Sequence, residues 1–125
     1  MNCKQRFFIC QHCGNIVGLI KDQGVPLVCC GDDMMELVPN TVEASAEKHL
    51  PVATVSGSNL SVSVGSVAHP MEDGHHIAFV YVETENGGQR KCLKNAPGAT
   101  FSFVDDKPVA VYAYCNLHGL WKTDI

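Results

Sequence analysis

Apolar and polar positions alternate along several short runs of the chain. Leu60, Val62 and Val64 alternate with Ser61 and Ser63, and Phe101 and Phe103 flank Ser102. Successive strand residues face opposite sides, so each run predicts a strand with one buried face. Ile77 to Val82 is apolar on both faces, the pattern of a central strand. Val109, Val111 and Ala113 form a last apolar row, and Cys115 continues it by parity. Gly87-Gly88 and Asp105-Asp106-Lys107-Pro108 supply turns. Six or seven such strands predict an antiparallel β-sandwich over residues 38–125.

Residues 1–37 follow a different pattern. Phe7 to Ile9, Asn15 to Ile20 and Val25 to Val28 are three short apolar runs, with a turn at Lys21-Asp22-Gln23-Gly24. Leu37 to Thr41 reads as a linker. Three strands of this length bury too little surface to fold alone, which calls for a metal staple. The expected fold is therefore all-β, a small three-stranded metal-binding module followed by the sandwich. No helix longer than a turn or two, no repeat and no low-complexity tract is evident.

Composition narrows the function classes. Hydrophobic residues make up 46% of the 125 positions, enough for a buried core. The net charge is −4 with no basic run, which disfavours nucleic acid. No apolar stretch approaches the ~20 residues that cross a bilayer, and the apolar block at residues 7–9 is too short for a signal peptide. The expectation is a cytoplasmic protein without membrane contact. Seven cysteines in that compartment point to metal ligation before disulfides. Five of them lie within residues 1–30, whereas five of the six histidines lie from His49 onward. That asymmetry predicts two sites with different ligands.

Cys10-Gln11-His12-Cys13-Gly14 is a CxxC knuckle, and Cys29-Cys30-Gly31 follows after fifteen residues. Four thiolates suit zinc or a single iron in tetrahedral geometry. Glycine after each pair permits a tight turn. Adjacent cysteines on an extended strand point apart, so Cys29 and Cys30 need a local bend to reach one metal. A distorted all-thiolate iron centre working in electron transfer fits this better than a plain zinc knob. His12, inside the knuckle, is expected to be solvated.

The second set comprises His49, His69, His75, His76, His118 and Cys115. His69-Pro70-Met71-Glu72-Asp73-Gly74-His75 places two imidazoles on one loop, and Cys115-Asn116-Leu117-His118 is a CxxH clip leaving the last apolar row. Structural zinc is satisfied by four ligands. Four imidazoles and one thiolate make five, a set that suits iron and leaves a position for a small molecule opposite the sulfur. The thiolate donates electron density to the metal, as in thiolate-ligated haem.

Cys10-x-x-Cys13 with Cys29-Cys30, Glu47-Lys48-His49, His69-Pro70-Met71 with His75, and Tyr114-Cys115-Asn116-Leu117-His118-Gly119 together resemble the full motif set of desulfoferrodoxin. This is the superoxide reductase form with an added desulforedoxin-like domain, and the resemblance covers nearly the whole chain. It implies a desulforedoxin-like iron domain at 1–37 and an immunoglobulin-like superoxide reductase sandwich at 38–125. It implies iron in both sites: one held by Cys10, Cys13, Cys29 and Cys30, the other by His49, His69, His75 and His118 with Cys115 axial. The implied reaction reduces superoxide to hydrogen peroxide, with rubredoxin or a similar donor returning the electron, in a homodimer. Lys48 is the implied positive charge that steers superoxide, and Glu47 the carboxylate that fills the open position after oxidation.

His76 stands where the family commonly has an aromatic residue, and the spacing selects His75 as the ligand. Cys92 is expected to be a buried or half-buried free thiol, and Cys3 an incidental surface thiol. The alternatives are a cupredoxin-like electron carrier, which needs a methionine ligand after His118 and finds none before Ile125, and a zinc-ribbon interaction module.

Overall fold

The computed structural model describes residues 4–125; Cys3 lies outside them. The chain divides into two compact units, with the boundary between Val38 and Pro39. No helix among the described residues is long and apolar enough to cross a membrane.

In the first unit, β1 (Arg6–Ile9) and β2 (Ile16–Leu19) pair antiparallel, Arg6 opposite Leu19 and Ile9 opposite Ile16. β3 (Val28–Cys29) and β4 (Asp32–Asp33) form a minimal hairpin. β5 (Met35–Glu36) then adds to the other edge of β1. The sheet is three-stranded, but its third strand is β5 and not the Val25–Val28 run. Pro26 has no N–H to give to a ladder, and Val25 stays 74% exposed. Arg6 grips Glu36 through two parallel bonds, Nε to Oε2 at 2.8 Å and Nη2 to Oε1 at 2.9 Å, and also reaches Asp22. Among the described residues of this unit only Phe7 and Cys10 are buried, so its apolar core is as slight as its length implies.

The second unit opens with a one-turn helix, α1 (Ala46–His49). Seven strands follow: β6 (Pro51–Ser56), β7 (Asn59–Val64), β8 (Ile77–Thr84), β9 (Gly87–Cys92), β10 (Gly98–Ser102), β11 (Pro108–Cys115) and β12 (Gly119–Asp124). They form two antiparallel sheets, ordered β10-β7-β6 and β12-β11-β8-β9. Leu60, Val62 and Val64 of β7 and Phe101 of β10 face Val80, Val82, Val111 and Ala113 across the core. Fully burying a side chain of this kind stabilises by roughly 1.5–3 kcal/mol relative to leaving it in water. The alternation read in β7 is strict, with Leu60, Val62 and Val64 buried and the residues between them exposed.

Three details depart from the sequence pattern. A register shift between Pro108 and Ala110 takes Val109 out of the apolar row, so Val109 is 37% exposed while Val111, Ala113 and Cys115 are sealed. A second shift, between Tyr114 and Cys115, brings Ile77 opposite Cys115 and lets Ile77 join Val80 in the core. The hairpin turn before β9 is Glu85-Asn86, whereas Gly87 and Gly88 open the strand and pair with Thr84 and Glu83. The Tyr81 hydroxyl occupies the space that a Gly88 side chain would need.

The outer edges of the two sheets are joined by side chains. Gln89 Nε2 on β9 donates to Ser102 O on β10 at 2.8 Å, and Lys91 Nζ donates to Thr100 O at 2.5 Å. Lys91 also lies 5.0 Å over the Phe101 ring.

Candidate metal centres

Cys10 follows β1 and Cys13 sits one turn later, in a knuckle closed by Gly14 N–H to Cys10 O at 2.9 Å. Cys29 ends β3. Cys30 adopts φ +53° and Gly31 φ +81°. This left-handed step, uncommon outside glycine, is the bend that two adjacent cysteines require. All four sulfurs lie within 4.8 Å of one another, with Cys13 and Cys29 at 3.7 Å.

The four thiols affect one another strongly. The Cys13 backbone N–H holds the Cys10 thiol down at about 6. Hydrogen bonding with Cys13, then with Cys10 and Cys29, pushes the Cys30 thiol up to about 12. Four thiolates at this spacing repel one another, and a cation among them removes the conflict. An all-sulfur donor set fits iron or zinc. His12 is not simply solvated, because its Nε2 pairs with the Asp32 carboxylate on β4.

The histidines come from four places at one end of the sandwich. His49 ends α1, His69 follows β7, His75 precedes β8, and His118 sits in the turn between β11 and β12. His49 Nδ1 lies 2.7 Å from Ser45 O and His69 Nδ1 lies 2.8 Å from Pro70 O. Each carbonyl accepts the Nδ1 proton, which assigns the lone pair to Nε2. These two Nε2 atoms face each other at 3.2 Å. His118 Nδ1 is 3.1 Å from His49 Nε2 and 3.8 Å from the Cys115 sulfur.

The rings close a circuit. Neighbouring centroids are 4.7 Å apart for His49–His69, 4.7 Å for His69–His75, 5.2 Å for His75–His118 and 4.9 Å for His118–His49. His49 and His75 lie across it at 6.5 Å. His49, His69, His75 and Cys115 have donor atoms within 4.8 Å of one another; His118 completes the ring from slightly farther out. His75 Nε2 is buried without a hydrogen-bond partner among the described residues. Burial, ahead of the neighbouring charges, lowers the pKa values of His49 and His69 below the ordinary imidazole value. Facing lone pairs, an orphaned nitrogen and a sealed thiol are what a softer transition metal satisfies, and nitrogen with sulfur suits iron.

Glu47 and Lys48 are exposed on α1, directly before the buried His49. The turn that carries them is fastened to the loop leading to His69. Val67 N–H donates to Glu47 O at 3.0 Å, Ser66 Oγ donates to the same carbonyl at 3.2 Å, and Gly65 N–H donates to Leu50 O at 3.0 Å. Gly65 holds φ +84°, and a Cβ there would stand 2.7 Å from Lys48 O. Trp121, which sequence reasoning passed over, stacks on His49 at 4.9 Å and donates from Nε1 to His118 O at 3.0 Å. Its one sequence signal is being the single tryptophan, six residues beyond Cys115.

His76 stands apart from the ring: it is half-buried and its Nδ1 lies 2.9 Å from Glu72 O. Cys92 is exposed, not buried, because β9 is an edge strand with little cover.

The family profile "Desulfoferrodoxin" matches residues 41–124, and "Desulfoferrodoxin, N-terminal domain" matches residues 3–37. A desulfoferrodoxin of Nitratidesulfovibrio vulgaris is 44% identical over 117 residues, covering 92% of each chain. A superoxide reductase of Pyrococcus horikoshii is 35% identical over 63% of this chain and 86% of its own. The crystal structure of the superoxide reductase from Treponema pallidum superposes with a TM-score of 0.82 at 37% identity, over 97% of this chain and 99% of that one. The four-cysteine group and the histidine–cysteine group match the two iron sites of desulfoferrodoxin. Over both matched regions, and so over nearly its whole length, the chain belongs to the desulfoferrodoxin family.

Proposed function

We infer that this chain is a superoxide reductase, an oxidoreductase that combines superoxide with one electron and two protons to give hydrogen peroxide. The observation that carries this reading is the closed circuit of four imidazoles beside the sealed Cys115 thiol, one residue from the exposed Lys48. The superoxide reductases among its relatives support it.

In this reading residues 1–37 hold one iron through Cys10, Cys13, Cys29 and Cys30. Residues 38–125 hold the reactive iron through His49, His69, His75, His118 and Cys115. Iron held in the second site would supply the one electron that superoxide takes up.

The chain's own residues do the rest. Burial keeps His49 and His69 neutral, so their lone pairs are available. Cys115 is fully buried, which shields its sulfur from water and from the peroxide formed nearby. Lys48 draws the small anion toward the site and donates to the reduced oxygen. Solvent reaches α1 and supplies both protons. Glu47, the adjacent exposed carboxylate, would be the group that holds the vacated site once hydrogen peroxide has left. A rubredoxin-type protein returns the electron, in the cytoplasm, to a homodimer. The cupredoxin reading falls away because the chain belongs to another family and gathers four imidazoles.

Metal analysis and superoxide consumption by the wild type and Cys115→Ser test this reading. We expect one iron for each ligand group and loss of turnover in the variant. Undiminished consumption by Cys115→Ser would overturn the mechanism.

A further inference from the structure

Asn116 sits between Cys115 and His118 and belongs to neither ligand group. Its Oδ1 accepts from His76 N–H at 2.8 Å, and its Nδ2 donates to Gly74 O at 3.0 Å. Its own backbone N–H donates to His76 O at 3.2 Å. One residue thus grips the chain immediately before and immediately after His75, across about forty positions of sequence.

The other imidazoles have different supports. The rings of His49 and His69 are aimed by the Ser45 and Pro70 carbonyls, and Trp121 holds His118 through its carbonyl. For His75 the buried Nε2 has no hydrogen-bond partner among the described residues. Its loop is a tight turn, Glu72 and His75 exchanging backbone bonds at 2.9 and 3.2 Å around Asp73-Gly74. Nothing within that turn fixes its distance from Cys115, so the remaining control is through the backbone. Asparagine is suited to it, because one short planar amide offers a donor and an acceptor together.

The geometry points to Asn116 as a positioning residue that sets the His75 imidazole against the Cys115 sulfur. The inference rests on the metal-binding reading of the second group and does not need the superoxide chemistry. Partners of this outer kind change metal affinity or activity by about 10–100-fold when removed.

The test uses the full chain, loaded with iron, as wild type, Asn116→Ala and Asn116→Asp. Three readouts apply: iron retention against a chelator, the electron paramagnetic resonance of the oxidised histidine–cysteine site, and its thiolate-to-iron absorption band. Asn116→Ala is expected to release the second iron about tenfold more readily, with a shifted band and altered resonance, while the four-cysteine spectrum stays put. Asn116→Asp keeps the acceptor for His76 N–H but sets an oxygen against Gly74 O. It too should shift the band, and it serves as the readout where Asn116→Ala does not fold. In the metal-free chain the His76 amide should exchange faster in Asn116→Ala, which removes its acceptor, and stay protected in Asn116→Asp, which keeps it. Wild-type retention and an unshifted band in the variants would overturn the inference, even with a lowered melting temperature, since Asn116 would then only stabilise the fold. If the variants shift the band while the wild type consumes no superoxide, the proposed function fails and the positioning role stands.

Discussion

Lys48 and His49 are consecutive, yet one is in water and the other is 3% exposed. Because α1 is a single turn, side chains one position apart on it point in different directions, so an ionic group can be presented beside a ligand without being buried with it. Lys48→Ala is therefore expected to leave the iron content unchanged and to slow superoxide consumption by roughly tenfold at low salt, within the range of electrostatic steering. Stopped-flow rates at several ionic strengths check this; a variant with the wild-type salt dependence would remove Lys48 from steering. At this scale the sequence was most informative where spacing constrained direction, as with His75 over His76. It was silent where contacts are long-range. The His12–Asp32 pair depends on how the two knuckles face each other, and the exposure of Cys92 depends on β9 being an edge.

Every cysteine and histidine of the two groups stands in a loop, at an element's end or just beyond one. Strand periodicity revealed the sandwich because β7 and β10 have one wet face. It misplaced Val109, since a bulge carries no local signature in the apolar stretch Val109-Ala110-Val111. It also misassigned the third strand of the small sheet, where a two-residue strand, β5, is too short to show a period. What anchors β5 is chemical: the Arg6–Glu36 fork, whose guanidinium holds the Glu36 carboxyl below its ordinary 4.5. A carboxyl depressed in the folded state contributes stability that is present above its unfolded value and is lost as pH falls through the folded one. The stability difference between wild type and Glu36→Gln should accordingly shrink as pH drops below about 4.5, by a modest amount because the pair is partly exposed. Melting temperatures of both chains across that range provide the check, and a gap that stays constant with pH would contradict the assignment.

The two units use different means of stability. The sandwich has a continuous apolar interior, whereas the smaller unit buries only Phe7 and Cys10 among its described residues and relies on its sulfur cluster. Cys13→Ser is expected to lower bound iron from one per ligand group to the histidine–cysteine site alone, with that site's spectrum intact. Parallel loss of both signals, read by metal analysis and absorption, would show that the units do not load independently. The two ligand groups were legible beforehand, because cysteines and histidines segregate along the chain and each set has its own spacing. The residues that support the ligands were not legible, since Trp121, Gly65 and Asn116 act through contacts that no local pattern encodes.

The amide of Gln89 and the ammonium of Lys91 occupy carbonyls on β10 that an incoming strand would otherwise bond. An open row of that kind invites foreign chains to add themselves to a sheet. With those acceptors taken, this edge of the sandwich is a poorer template for fibril growth.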